Sequence, residues 1–470
     1  MDARSWDMFR SGRNQAAKSL LGHGVAGVLI LALVLTGASR APASSPKGVD
    51  PTGRYLVDQE GQPFFWLGDT AWNLFQVPNR EDAELYLATR ARQGFTVIQA
   101  GIVMGEERVA GTARPNTYGD TAFIDNDPAR PRVTPGSDPK VAEEYDYWDH
   151  ADYVIDRARA HGLTLGILPL FVGWRGDGYK YLKTSNAYAY GKFLGERYRA
   201  KPHIVWILGG DNVADTEEKR TLWSLVAKGI TEAVAGAEDY SKTMMTYHCP
   251  GGNSSSKWFH AAPWLDFHMI QTWGDYKSIP ARIAADYKLT PPKPTGLGEG
   301  AYENGNQYKW TVNALAIRQQ AYWSYLSGGY HTYGNTDVWN FSSYKGEAFQ
   351  DWKRALRAPG AQHLGVLRKI LGSLEWWKLV PDAAVLAGAT KALAMRSTQG
   401  DTILVYLSNP AAISVRMDKL TGPGAVHATW IDPRTGDRTE AGTFPTRGTS
   451  SFSPASGWED ALLLLQPAGR

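Results

Sequence analysis

The feature that most constrains the fold is a regular alternation of short apolar runs with longer amphipathic segments, from about Gly53 to Trp377. This alternation is typical of parallel βαβ units. The predicted strands are Phe64–Thr70, Phe95–Ile102, Leu163–Phe171, His203–Asn212, Lys242–Pro250, Leu265–Trp273, Lys293–Gly300 and Gly329–Asn335. Strands in this number and order predict an α/β fold, a (β/α)8 TIM barrel.

The segments between many of these strands have the apolar spacing of helices. Predicted helices cover residues 80–94, 145–162, 185–200, 218–234, 313–328 and 361–377. A polar insertion with Pro and Gly residues covers 105–138. An open doubly wound sheet is the alternative fold, but no G-x-G-x-x-G segment follows the first strand, so a dinucleotide site is not supported.

Beyond Pro381 the pattern changes to short strands divided by turn segments such as PRTGD and GPG. With no helical pattern between the strands, this region predicts a small all-β sandwich. We therefore expect a barrel over residues 48–380 and a sandwich domain over 381–470. Because no long linker divides them, we expect the second domain to pack against the first.

The first 43 residues have the pattern of an export signal. Basic residues precede an uncharged run, residues 20–39, and Ala41-Pro42-Ala43 fits a cleavage site with small residues. The run is also long enough for an uncleaved membrane anchor. Both alternatives predict an exported protein (periplasmic, secreted or anchored at the cell surface), the second with a membrane tether.

Composition narrows the classes of partner and site. The net charge of +3 gives no reason to expect a nucleic-acid partner. Cys249 is the single cysteine, so neither an intramolecular disulfide nor a multi-cysteine metal site can form. The 18 Trp and 23 Tyr residues suggest carbohydrate binding, because aromatic faces stack on the C–H faces of sugar rings. We expect no cofactor.

Polar side chains lie at the ends of most predicted strands. They are Asp69, Gln99, Asp211, His248, Gln271, Glu299, Tyr333 and Asn335. An Asp at such a position could instead cap the following helix, but caps do not account for polar residues after so many apolar runs. Because barrel active sites form at the C-terminal ends of the strands, the set predicts an active site there.

Asp211 and Glu299 follow the fourth and seventh strands, so we expect their carboxylates to face each other across the barrel mouth. Such a pair suits glycosidic bond hydrolysis, in which one acid protonates the leaving oxygen and the other attacks C1 or activates water. A separation of about 5–5.5 Å means retention and a wider gap means inversion, and the sequence leaves both open. We expect Trp206 to supply an apolar wall, and Glu303 is the competing carboxylate.

Four segments, FFWLGDTAWNLF, HIVWILGGDN, TGLGEGAYE and IRQQAYWSYLSGGYHTYGNTDVW, resemble the apiosidase-like glycoside hydrolases, that is, glycoside hydrolase family 140 and its relatives. The segments ATWIDPRTG and WEDALLLLQP resemble the collagen-binding-type domain that follows the barrel in those proteins. The resemblance covers nearly all of Gly53–Pro467. One segment, MIQTWGDY, departs from the family pattern, in which we expect a small residue and a histidine after the glutamine.

The resemblance implies an exo-acting enzyme that releases apiose or a similar sugar from plant pectic side chains. It implies that Asp211 is the general acid/base and that Glu299 is the nucleophile. It also implies that Asp69, Trp72 and His248 bind the sugar. We expect further substrate contacts from other residues at the strand ends or in these motifs, namely Gln99, Asn212, Gln271, Tyr302 and Tyr333.

Two other classes of function stay open. A non-catalytic carbohydrate- or matrix-binding protein could use the same barrel, although the presence of both acids favours an enzyme. A metallohydrolase would need clustered His and Asp residues. The strand histidines His248, His268 and His331 lack the H-x-H spacing common at such sites, so we expect no metal.

Overall fold

A computed structural model describes residues 45–105, 113–305, 307–341, 351–421 and 424–467. The predicted export segment, residues 1–43, lies outside these ranges, so its cleavage and its use as a membrane tether stay predictions. Across the described ranges no helix combines the length and the apolar character needed to span a bilayer.

The first domain begins with a small antiparallel sheet and continues with alternating strands and helices. The three strands of the small sheet are β1 (Gly48–Val49), β2 (Leu56–Val57) and β3 (Pro63–Phe64). The barrel strands are β4 (Leu67–Thr70), β5 (Val97–Gly101), β6 (Thr164–Leu168), β7 (Ile204–Gly209), β8 (Met245–His248), β9 (Asn253–Ser254), β10 (His268–Gln271), β11 (Thr295–Glu299) and β12 (Tyr330–Tyr333). The helices are α1 (Arg80–Arg92), α2 (Tyr147–Ala160), α3 (Thr184–Tyr198), α4 (Glu217–Ala235), α5 (Ser256–Phe259), α6 (Ile279–Tyr287), α7 (Ala314–Leu326), α8 (Trp352–Ala355) and α9 (Pro359–Gly372).

The barrel strands form one sheet in the order β8-β7-β6-β5-β4-β12-β11-β10-β9, in which only the short β9 is antiparallel to its neighbour. The sheet closes where β8 approaches β10. There the amide of Asp266 donates to the carbonyl of Met245 at 2.9 Å, and the Thr246 hydroxyl donates to the carbonyl of Phe267 at 2.6 Å. The predicted (β/α)8 barrel is confirmed.

Side chains of the barrel strands alternate between the interior and the layer of helices. In β7, Val205 and Ile207 pack in the interior, whereas Trp206 and Leu208 pack with side chains of the surrounding helices. All four are buried. Burial on both faces explains why the barrel strands appear in the sequence as nearly continuous apolar runs.

Two helices between β8 and β11 were not predicted. Both are short: α5 has four residues and α6 has nine, less than the window over which helical periodicity becomes distinct. In α6, Ile279 and Ile283 pack against Ile270 and Leu297 of the neighbouring strands. Tertiary contact therefore stabilises a helix that is too short to be recognised by its pattern.

The second domain consists of two antiparallel sheets. Its strands are β13 (Leu379–Pro381), β14 (Leu386–Ala387), β15 (Leu393–Ser397), β16 (Ile403–Leu407), β17 (Ile413–Arg416), β18 (Ala425–Ile431), β19 (Arg438–Pro445), β20 (Thr449–Phe452) and β21 (Ala461–Pro467). They form the sheets β13-β15-β16-β21-β18-β19 and β14-β17-β20. Val405, Val415 and Leu463 share one apolar cluster between the sheets, and the predicted all-β domain is confirmed.

Helix α7 of the barrel carries the contact with the second domain. Arg318 is almost fully buried and donates to Asp460 at 2.9 Å, and Asp460 also accepts from the Tyr406 hydroxyl at 2.9 Å. The rings of Tyr322 and Tyr406 stack with their centroids 4.6 Å apart. Because a buried, bonded charge pair is costly to break, these contacts hold the second domain against the barrel as expected.

A second buried ion pair fixes α1 against β4. Asp69 accepts from Arg90 Nε at 2.6 Å and from the Tyr86 hydroxyl at 2.5 Å, and all three residues are fully buried. Burial raises the pKa of Asp69, although the charge of Arg90 and both hydrogen bonds oppose that shift. Buried charges persist only when they are paired and hydrogen-bonded, as they are here.

We expect Arg90→Met to lower the free energy of unfolding by about 3–5 kcal/mol, because Asp69 then keeps a buried charge without its partner. Urea unfolding followed by circular dichroism measures this change. Arg92→Met, at an exposed position of the same helix, should change stability by less than about 0.5 kcal/mol. Equal effects of the two substitutions would contradict a stabilising buried pair.

Candidate active site

Four polar side chains from four strand ends meet at the C-terminal mouth of the barrel. Glu299 Oε2 lies 3.1 Å from His248 Nε2, and His248 Nδ1 lies 3.9 Å from Asp211 Oδ1. Gln271 donates from Nε2 to the same Asp211 oxygen at 3.1 Å. All four residues were predicted from strand ends, and the structure brings them together.

The two carboxylates are close to each other but differ in exposure. One oxygen of Asp211 and one of Glu299 lie within 4.8 Å. The side chain of Glu299 is only 8% exposed, whereas that of Asp211 is 31% exposed. Glu299 therefore lies on the enclosed side of the mouth and Asp211 on the side that faces solvent.

A β-bulge directs Glu299 into the mouth. Strands β10 and β11 pair Ile270 with Leu297 and then Gln271 with Glu299, so Gly298 is an extra residue in β11. Ile270 and Leu297 face the helices, and by simple alternation Glu299 would face them too. The extra residue turns Glu299 to the side of Gln271. A Cβ at Gly298 would lie 2.1 Å from an interior side chain, so this position requires glycine.

Two glycines at the end of β7 direct Asp211. Gly209 and Gly210 have φ values of 96° and 141°, which side chains with a Cβ rarely adopt. A Cβ at Gly210 would lie 2.4 Å from the carbonyl oxygen of Val172, in the loop after β6. Glycine therefore permits the close approach of two loops that places Asp211 at the mouth.

His248 lies between the two carboxylates. Burial alone would lower its pKa, but the hydrogen bond to Glu299 and the negative charges of Glu299 and Asp211 outweigh burial. The pKa of His248 is therefore raised. A protonated His248 donates to Glu299 and holds its Oε2 atom in place.

Aromatic side chains enclose the Glu299 side of the mouth. Trp72 donates from its ring N–H to the Tyr302 hydroxyl at 2.9 Å and meets the His248 ring edge-on at 5.1 Å between centroids. Phe171 packs on Trp72 at 5.2 Å. Burial, reinforced by the nearby carboxylates, raises the pKa of Tyr302 well above its usual value. Trp72 and Tyr302 thus lie beside the carboxylates, and their contact with a substrate stays a prediction.

Trp206 does not supply the apolar wall that we expected for Asp211. It faces the helices, where its ring lies 6.4 Å from that of Tyr198. The reason is strand alternation, since its neighbours Val205 and Ile207 occupy the interior. The aromatic residues around Trp72 form a wall on the Glu299 side of the mouth instead.

Gln99 and Asn212, two further predicted substrate contacts, bond to backbone around the site. Gln99 lies inside the barrel and donates to the carbonyl of Gly298 at 2.9 Å, which holds the bulge before Glu299. Asn212 donates to the carbonyl of Trp174 at 3.3 Å and so fixes the loop after β6. Both amides support the positions of residues that line the mouth.

Asp69 and Tyr333 do not reach the mouth. Asp69 is held in the ion pair with α1, and Tyr333 donates to Glu303 at 2.6 Å behind the sheet. The expectation that these two residues contact the sugar is therefore corrected. Gly68 and Thr332, which precede them, face each other inside the barrel, so Asp69 and Tyr333 point to the helices.

Glu303, the competing carboxylate, caps a helix. It accepts from the Tyr333 hydroxyl at 2.6 Å and from the amide of Gly360 at 2.7 Å. Gly360 lies in the first turn of α9, where the cap residue Ala358 makes no side-chain bond. Burial raises the pKa of Glu303, and these hydrogen bonds oppose the rise. A carboxylate at this position stabilises the N-terminus of α9.

Trp174 and Trp273 follow β6 and β10 and were not among the predicted site residues. They are 69% and 49% exposed, an unusual state for tryptophan. A tryptophan next to an apolar run is easily taken for core in a sequence. The signal that could have identified both is their position at the C-terminal end of a predicted strand (Trp273) or just beyond one (Trp174).

Among the described residues, one group of three side chains has the composition and spacing to hold a metal ion: Asp211, His248 and Glu299. The hydrogen bond between His248 and Glu299 already pairs two of the possible ligand atoms. His268 and His331 bond to other residues behind the sheet and do not join this group. The expectation of a metal-free site stays a prediction.

The barrel with this mouth defines a class of protein, the glycoside hydrolases, and solved structures agree. One glycoside hydrolase matches with a TM-score of 0.78 and 28% identity, over 91% of this chain and 98% of that chain. A glycoside hydrolase family 5 structure from Bacteroides vulgatus ATCC 8482 matches with a TM-score of 0.79 and 27% identity, over 90% and 94%. No curated protein sequence matches this chain.

Family models identify the particular family. The model described as "Apiosidase-like, catalytic domain" matches residues 50–378. The model described as "Putative collagen-binding domain of a collagenase" matches residues 380–466. The first match covers well over half of the sequence, so the chain belongs to the apiosidase-like family, as its motifs predicted.

We expect the contribution of His248 to stability to depend on pH, because its pKa is raised in the folded protein. Such a contribution is fully present below the pKa of 6.5 that histidine has in the unfolded chain. It is lost as pH rises through the raised pKa of His248 in the folded protein. The loss of unfolding free energy caused by His248→Asn should therefore be larger at pH about 5 than at pH about 9. Urea unfolding at the two pH values measures it.

His331→Asn is the matched control. Burial lowers the pKa of His331 to about 3, so this residue stays neutral in the fold and costs stability as pH falls. The loss of unfolding free energy caused by His331→Asn should therefore be smaller at pH about 5 than at pH about 9. This trend is opposite to the one expected for His248→Asn. The same trend in both variants would contradict a raised pKa of His248.

Proposed function

We propose that this chain is an exo-acting, retaining glycosidase that removes a terminal apiose or similar sugar from plant pectic glycans. Asp211 is the general acid/base and Glu299 the nucleophile. One observation carries the proposal: one oxygen of Asp211 and one oxygen of Glu299 lie within 4.8 Å of each other at the barrel mouth, a close approach that favours the retaining class. Retaining glycosidases hold their carboxyl groups about 5–5.5 Å apart, and inverting ones about 6.5–9.5 Å.

The reaction takes two steps. Glu299 attacks C1 of the terminal sugar while Asp211, as the protonated acid, donates its proton to the departing glycosidic oxygen. In the second step Asp211 accepts a proton from water, and the water oxygen displaces Glu299 from C1. The sugar leaves with its original anomeric configuration.

The neighbouring side chains position the two acids for these steps. His248 bonds to Glu299 Oε2, which leaves the other carboxylate oxygen as the attacking atom. Gln271 bonds to Asp211 Oδ1 and restrains the acid that must reach the leaving oxygen. Positioning of this kind lowers the barrier because the reacting groups need not be ordered during the reaction.

The difference in exposure between the acids supports exo action. Trp72 and Phe171 pack on His248, which bonds to the buried Glu299, and Tyr302 accepts from Trp72, so one sugar ring would be enclosed on this side of the mouth. Asp211 is more exposed, so the rest of the glycan would leave toward solvent. The identity of the sugar as apiose rests on the family and not on this geometry.

Two parts of the proposal lie outside the site. We propose export of the protein, with or without a membrane tether, on the pattern of residues 1–43. We also propose that the second domain stabilises the barrel rather than binding a partner, because its buried contacts go to α7. A carbohydrate- or matrix-binding protein without catalysis is the alternative function.

We expect Glu299→Gln to abolish sugar release from pectic oligosaccharides, with a loss on the order of 10³-fold or more, because it removes the nucleophile. Glu303→Gln is the matched control, since this second glutamate four residues away caps a helix. It should keep most of the activity. Chromatography of the released sugars across an oligosaccharide panel measures both variants.

The other outcomes separate the alternatives. Loss of activity in Glu303→Gln with activity retained in Glu299→Gln would overturn the assignment of the nucleophile. Binding of the panel without release by the unsubstituted chain would support the non-catalytic alternative. Circular dichroism of each variant shows whether the fold is intact.

A further inference from the structure

Two exposed tryptophans at the mouth are not used in the mechanism. Trp174 is 69% exposed and Trp273 is 49% exposed, whereas most tryptophans of the described chain are buried or half-buried. Exposed aromatic rings beside a carbohydrate site offer stacking surfaces for sugar rings.

Trp174 is tied to the loop that carries the acid. Its carbonyl accepts from the side chain of Asn212, the residue after Asp211, at 3.3 Å. The guanidinium of Arg175 lies 4.9 Å from the centre of the Trp174 ring and covers one of its faces. Since the residue is still largely exposed, the other face is open to a ligand.

Trp273 is connected to the same acid through the end of β10. It follows Gln271, which donates to Asp211, by two residues. Its φ is 50°, a conformation that bulky residues rarely adopt. The Tyr308 ring meets it edge-on at 5.1 Å between centroids. A strained backbone that presents an exposed aromatic ring at a site is a marker of function.

We propose that Trp174 and Trp273 form the leaving-group subsite, where they stack on the sugar residue that follows the scissile bond. The inference rests on the proposed function and deepens it. The backbone of Trp174 is bonded to the residue after Asp211, and Trp273 follows by two residues a side chain that is bonded to Asp211, the group that protonates the leaving oxygen. The enclosed Glu299 side holds the terminal sugar, so the ring that meets the tryptophans belongs to the rest of the glycan.

This arrangement makes the leaving group a determinant of specificity. A pectic oligosaccharide places a sugar ring between or against the tryptophans, whereas the methyl glycoside of the same terminal sugar has no ring there. Stacking against an aromatic face raises the affinity for a sugar ring by up to about tenfold. The enzyme should therefore prefer the oligosaccharide.

The kinetic test compares Trp174→Ala and Trp273→Ala on the two substrates. Each substitution should lower kcat/KM for the oligosaccharide by about tenfold and leave the methyl glycoside within about twofold. Trp273→Phe should restore most of the loss, since phenylalanine also stacks. Tyr118→Ala, at an aromatic residue of similar exposure (46%), is the control and should change neither substrate. Equal losses on both substrates would overturn the subsite.

A binding test does not depend on turnover. Glu299→Gln protein is treated with N-bromosuccinimide, which oxidises exposed tryptophans, with and without oligosaccharides from partially hydrolysed pectin. Peptide mass spectrometry should show protection of Trp174 and Trp273 by the oligosaccharides but not by free apiose.

The two tests together distinguish failure of the subsite from failure of the proposed function. Hydrolysis by the unsubstituted chain, with both tryptophans equally reactive when oligosaccharide is bound, overturns the subsite and leaves the proposed function. Protection of the tryptophans without hydrolysis overturns the proposed function and supports the sugar-binding surface. Neither hydrolysis nor protection overturns both.

Discussion

Side chains on a barrel strand alternate between the interior and the helical layer. The whole site depends on which of its residues follow this alternation and which depart from it. His248 and Gln271 reach the mouth by simple alternation. Glu299 does not, because its strand would turn it to the helices without the bulge at Gly298. Asp211 lies beyond the end of its strand, and glycines at the turn direct it. The site is therefore made by local departures from regular strand geometry.

The same constraint explains how much could be predicted from the sequence. The order of apolar runs and helical segments was enough to predict the barrel. The polar residues at the strand ends were enough to predict the position of the carboxylate pair. Strand ends do not reveal which face a side chain takes, so Asp69 and Tyr333 were placed in the site although they lie behind the sheet. The bulge at Gly298 depends on pairing with a neighbouring strand, which a single strand's pattern does not show.

Four acids in similar sequence surroundings have different physical tasks in this fold. Asp69 pairs with Arg90 through one oxygen, Oδ2, and Glu303 caps α9, and both acids are buried. Asp211 and Glu299 face each other across the mouth, with the histidine between them and an aromatic wall on one side. Glu303 also fixes to α9 the loop that follows Glu299, so a structural acid lies only four residues after one of the candidate catalytic acids.

The central claim is that Glu299 forms a covalent bond to the sugar, and trapping that bond tests it most directly. Asp211→Ala protein lacks the base for the second step, so the intermediate should accumulate with a 4-nitrophenyl glycoside, whose leaving group needs no acid. Acid quenching and peptide mass spectrometry would then locate it. The two-step mechanism predicts one added sugar residue on the peptide that contains Glu299. An unmodified peptide together with a released sugar of inverted configuration would contradict it.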